Sequence, residues 1–61
     1  MNHDRAFLFT VEITQGTTTL REPRTVRASS LAVATILLNS TLAVVYGLGA
    51  RIIGDGKEVA A

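Results

Sequence analysis

The chain has no cysteine, one proline and one histidine among its 61 residues. Without cysteine it can form neither a disulfide framework nor a thiolate metal site. The single histidine, His3, excludes a site built from several imidazoles, and at that position we expect a surface residue. The aromatic residues are two phenylalanines, Phe7 and Phe9, and one tyrosine, Tyr46, so the core must be mainly aliphatic. Stability in so short a chain must come from an apolar core or from association.

Charge is also scarce, and it is balanced. Six basic and five acidic residues leave a net charge of +1, whereas nucleic-acid binding usually requires a clear basic excess. The acidic residues stand singly along the chain, and none belongs to a recognisable metal-binding, phosphate-binding or catalytic motif. We therefore predict no enzymatic activity, no catalytic or metal-binding residue and no cofactor, and we do not expect nucleic acid as the partner.

The most informative absence lies between Arg27 and Arg51, where no residue is charged. Such a segment is either a helix buried by the protein and a partner, or a membrane span of roughly 20 residues. Polar residues at 39–41 and a glycine at Gly47 interrupt the segment and favour the first interpretation. We expect a cytoplasmic protein of a bacterial host cell, and an inner-membrane peptide spanning 31–50 is the alternative. The N-terminus has an acid at Asp4 and is not expected to be a signal peptide.

The residues before this segment predict a β-hairpin. In 6–14 the apolar residues alternate with polar ones, which is typical of a half-buried strand that places Phe7 and Phe9 in the core. Gln15-Gly16 favours a turn, and 17–28 forms the second strand, whose core face includes Leu20. Pro23 cannot donate to a sheet ladder, so this strand is expected at an edge of the sheet.

The charge-free segment predicts a helix over 30–46, with Ser29 or Ser30 as the N-cap and Gly47 at the C-terminal end. Along this helix one apolar stripe consists of Leu31, Ala34, Leu38, Leu42 and Val45, and the other apolar residues lie on its remaining sides, so the helix is not amphipathic. A third strand is expected at 50–54, a tight turn at 54–56 and a possible short fourth strand at 57–60. The predicted fold is a single small α+β domain over 1–61, with the helix packed on an antiparallel sheet.

This layout resembles the small phage-encoded β-β-α-β inhibitors of host machinery, of the type that binds bacterial RNA polymerase, and some anti-CRISPR proteins share the topology. The matching segments are FLFTVEI, LREPRTVRA with its proline, the Ser29 cap and ARIIGDG. The resemblance covers most of the chain but includes no diagnostic motif. It implies a stoichiometric protein binder. Such inhibitors usually have an amphipathic, often acidic helix, and the helix of this chain is uncharged.

The sequence therefore predicts a small non-enzymatic protein-binding module, an inhibitor that takes part in a host–virus interaction by masking a surface of a bacterial protein complex. An obligate homo-oligomer, a single-pass membrane peptide and a nucleic-acid-binding accessory are the alternatives.

The arginine-rich second strand is the candidate contact surface, because arginine is enriched at binding hot spots. A charged strand with a proline is also typical of an edge strand that is solvated and protected from aggregation. The candidate partner-binding residues are Arg21, Glu22, Arg24, Arg27, Val33, Leu37 and Val44.

Overall fold

The computed structural model describes residues 4–59, which form three strands and one helix. The elements are β1 (Arg5–Gln15), β2 (Thr18–Ala28), α1 (Leu31–Tyr46), a short 3₁₀ turn (Gly47–Gly49) and β3 (Ala50–Val59). The strands form one antiparallel sheet in the order β2-β1-β3. The predicted α+β fold, with a hairpin, an apolar helix and a third strand, is confirmed. The prediction for His3 lies outside the described residues.

The hairpin follows from the alternation in β1. Opposite residues of an antiparallel pair share a face, so Val26 and Ala28 of β2 lie on the same side of the sheet as the buried residues Phe7, Phe9, Val11 and Ile13 of β1. Leu20 lies on the same face, as predicted, but it is 54% exposed because it lies beyond the sheet area that α1 covers. The hydrophobic core consists of Phe7, Phe9, Val11, Ile13, Ala28, Ala34, Leu38 and Leu42.

Helix α1 connects β2 to β3 across this buried face. Ser30 is the N-cap, with its Oγ accepting a hydrogen bond of 3.2 Å from the Val33 backbone N–H, so the cap is Ser30 and not Ser29. Since β2 ends opposite Arg5 and β3 begins opposite Ile13, the helix must run the length of the sheet. A helix of 16 residues is about 24 Å long, which matches that distance.

The predicted turn at 54–56 is wrong. Residues Ala50–Val59 form one continuous strand, and the register with β1 shifts between Leu8 and Thr10, which marks a β-bulge. Gly54 has a φ of +71°, a conformation that glycine adopts in bulges as readily as in turns. Residues 57–59 therefore continue β3 instead of returning as a fourth strand, and residue 60 lies outside the described range.

Gly56 is expected to be the glycine that is least tolerant of substitution. A Cβ at this position would collide with the Phe9 ring and would lie 2.8 Å from Cδ1 of Leu31, and overpacking a core of this kind typically costs about 1–3 kcal/mol. We expect Gly56→Ala to lower the free energy of unfolding by that amount in urea denaturation. Asp55→Ala, at the exposed neighbouring position, is the control and should change it by less than about 0.5 kcal/mol.

Candidate protein-binding surface

Helix α1 is covered by the sheet on one side only. Of its 16 residues, Ala34, Leu38 and Leu42 are buried. The predicted stripe contains all three, and its two end residues, Leu31 and Val45, are 39% and 62% exposed. The sheet covers one side of the helix along its length, and Tyr46, the last helical residue, still packs against the core. The helix is therefore not a buried core helix within a single chain.

The uncovered side of α1 is apolar, and we call it the outer helix face, defined by Val33, Ile36, Leu37 and Val44. Val44 is 87% exposed, Ile36 65% and Leu37 47%. No charged residue occurs in the helix, either in its first or its last turn. Contiguous apolar surface of this extent is typical of an interaction site rather than of free surface.

A groove of about 430 Å³ lies between α1 and the edge strand β2. Its helix side includes Leu37, Thr41 and Val45, and its strand side includes Arg24 and Arg27. The groove exists because α1 lies closer to β3 than to β2, leaving part of β2 open. It is continuous with the outer helix face, since Leu37 belongs to both, and Val45 lines the groove near the end of the helix.

The candidate polar residues separate onto two faces of β2. Glu22 and Arg24 lie on the helix side, where they form an ion pair of 3.0 Å between Oε1 and Nη2. The hydrogen bond from Arg24 to the Glu22 carboxylate raises the pKa of Arg24. Arg21 and Arg27 lie on the opposite face of the sheet, across from Glu12 and Ala6. The structure thus places Arg24 on the helix side, in the groove that Leu37 also lines, whereas the side chains of Arg21 and Arg27 lie on the other face of the sheet.

Arg21 belongs to an ion-pair network on the outer face of the sheet. Glu12 of the central strand accepts from Arg21 at 3.2 Å and pairs with Arg51 at 3.0 Å, which connects all three strands. The pKa of Glu12 is lowered, most strongly by the hydrogen bond from Arg21; desolvation opposes this shift, and the hydrogen bond from Arg51 and the two positive charges add to it. This network stabilises the sheet, which explains Arg21 without a partner.

The Glu12 network predicts a pH dependence of stability. Because its pKa is lower in the folded chain than the ordinary value of 4.5, the contribution of Glu12 is present above about pH 4.5 and is lost as the pH falls through the folded pKa. We expect Glu12→Gln to flatten the decline in the free energy of unfolding between about pH 5 and pH 3. Asp55→Asn is the matched control. A decline in Glu12→Gln as steep as that of the wild type would contradict the assignment.

Sequence reasoning named Val33, Leu37 and Val44 as candidates, and all three are exposed; it did not name Val45 or Tyr46, which line the groove. Val45 shares the helical stripe of Ala34, Leu38 and Leu42, yet it is 62% exposed near the C-terminal end of α1. Tyr46 is partly buried and lines the groove near Arg24. In the sequence, the only indication of this role is that Tyr46 directly follows the apolar run that ends at Val45. Phe7 and Phe9 are buried, as predicted, so neither can stack on a base.

The fold and this surface define a small α+β protein whose helix has an unpaired apolar face. No match to this chain was found among protein-family models, curated proteins or solved structures. The function must be argued from the geometry of the described residues.

Proposed function

We propose that the chain is a small non-enzymatic protein-binding module that docks through the outer helix face. The observation that carries the proposal is the exposure of Ile36, Leu37, Val44 and Val45 on a helix without charge. Burying a side chain of this size contributes about 1.5–3 kcal/mol, so a protein surface that covers the face gains considerable free energy.

The non-enzymatic part of the proposal is supported by the arrangement of the acidic residues. Glu12, Glu22 and Glu58 are each paired with arginine, so these carboxylates serve as structural partners. Within residues 4–59 no three potential metal-ligating side chains come together. The finer proposal, an inhibitor from a phage or mobile element that masks a bacterial complex, is supported only by the shared β-β-α-β order.

A membrane span is the second candidate, because the helical segment Leu31–Gly49 is 19 residues long and apolar enough to cross a bilayer. A helix that crossed the bilayer would separate β2 and β3 on opposite sides, yet both strands pair with β1. The span and the three-stranded sheet are therefore mutually exclusive. Centrifugation at high speed without detergent distinguishes the two, since only the span requires the chain to sediment with membranes.

The docking proposal is tested by photo-crosslinking in bacterial cells that express the chain. A photoreactive amino acid replaces Val44 on the outer helix face or, as the matched control, Lys57 on the opposite face of the sheet. We expect a covalent protein adduct from position 44 and none from position 57, and the mass of the adduct shows whether the occupant is the same chain. Equal adducts from both positions, or none from position 44, would refute the proposal.

A further inference from the structure

We propose that the occupant of the outer helix face is a second copy of this chain, so that two α1 helices pack across a two-fold axis with a sheet on each outer side. This inference rests on the proposed function and names its partner. It starts from the chemistry of the surface, because a two-fold interface brings the same patch of two copies together. The patch must therefore be complementary to itself.

The outer helix face meets this requirement because it has no charge. Two identical charged faces would repel, and a charged heterologous partner would lose hydration without finding an opposite charge here. Arg24 is the charged residue that lines the groove on the helix side of the sheet. It already forms an ion pair with Glu22 at 3.0 Å. Contact between two copies of the face would therefore bury no unpaired charge from this ion pair.

One polar side chain that borders the face, Thr41, does not oppose burial. The hydroxyl of Thr41 donates to the backbone oxygen of Leu37 at 3.0 Å, so this polar group is satisfied within its own helix. Burying a hydroxyl is costly only when it lacks such a partner. An apolar partner surface, like that of a second α1, is thus compatible with Thr41.

The geometry provides a packing ridge. Val33, Leu37, Thr41 and Val45 are spaced by four residues and so form one of the rows that interlock in helix pairs, typically at about −50° and with axes 8–10 Å apart. Thr41 is small and lies near the middle of the row, which allows a close approach. The groove of about 430 Å³ beside this row can accept side chains of the second copy.

The interface between two such faces would be small. Val33, Ile36, Leu37 and Val44 lie on one side of a single helix, and Leu48 in the following turn extends the patch. An interface of this size belongs to the small class typical of weak, concentration-dependent association.

Association through the sheet edges is less favourable than association through the helix. Gln15 and Thr18 close a two-residue turn, and from this register Pro23 falls at a position whose backbone points to the open edge of β2. Proline offers no N–H there, and the other edge, β3, contains the bulge at 54–56. Both are features that prevent strand addition, so the helix face remains as the surface for a second copy.

Sedimentation equilibrium of the purified chain tests the inference. We expect the wild type to sediment at twice its mass of 6.5 kDa at about 100 µM, and Val44→Asp to raise the dissociation constant at least a hundredfold because the change occurs twice in a two-fold interface. Val44→Ser should raise it about tenfold, and Lys57→Asp, on the outer sheet face, should leave it unchanged.

A wild type that remains at 6.5 kDa up to millimolar concentration, or a dimer that is unaffected by Val44→Asp, overturns the inference. If the purified chain is monomeric while position 44 crosslinks to a different protein in cells, the second copy is refuted and the docking function stands. If position 44 forms no adduct and the chain is monomeric, both are refuted.

Discussion

Replacing Phe9 with alanine is expected to abolish folding of the isolated chain. Phe9 is 1% exposed on the central strand, and its ring lies against the space that only Gly56 leaves free. Truncation of a buried phenylalanine typically costs about 3–5 kcal/mol, and a core of this size rarely provides more than about 3–5 kcal/mol in total. The change therefore removes most or all of the stability.

The measurement is the far-UV circular dichroism spectrum with urea denaturation. Leu20→Ala is the matched control, because Leu20 lies on the same face of the sheet but is half exposed. It should retain a cooperative transition with a loss below about 1 kcal/mol. A cooperative transition in Phe9→Ala with a midpoint near that of the wild type would show that the core is not organised around Phe9.

Replacing Val44 with aspartate is expected to remove the concentration dependence of thermal stability. A second copy that binds only the folded chain raises the apparent stability by mass action. For a domain of this size, a hundredfold rise in protein concentration should increase the Tm of the wild type by about 5–10 °C, since the two chains share one interface. Val44 is 87% exposed in the single chain, so the monomer itself should be unaffected by the substitution.

Scanning calorimetry at several concentrations measures this effect. Val44→Asp should give one Tm at all concentrations, equal to that of the dilute wild type. The control Lys57→Asp should retain the wild-type dependence. A Tm of the wild type that does not change with concentration would contradict a second copy as the partner.

The local elements could be predicted from the sequence because each depends on a short pattern. Alternation in 6–14 specified β1, the run before Gly47 specified the end of α1, and Pro23 indicated an edge strand. These features act through neighbouring residues, so no knowledge of the tertiary structure was required to find them.

The remaining features depend on contacts between distant segments. The bulge at 54–56 forms because β1 is long enough to pair with the whole of 50–59, and a glycine pair by itself favours a turn equally well. The exposure of Leu31 and Val45 depends on how far the sheet extends beneath α1. The groove beside β2 depends on where α1 lies across the sheet, and the spacing of apolar residues along a helix does not specify this position.

The central claim is that another protein surface covers the outer helix face when the chain is in the cell. Since the chain has no cysteine, Val44→Cys and Lys57→Cys each provide a single thiol on opposite sides of the molecule. Their rates of reaction with a maleimide are to be compared in the detergent-free, high-speed supernatant of a lysate and again after denaturation. We expect at least tenfold slower labelling at position 44 than at position 57, and equal rates after denaturation. Equally fast labelling of both positions in the native supernatant would contradict the account.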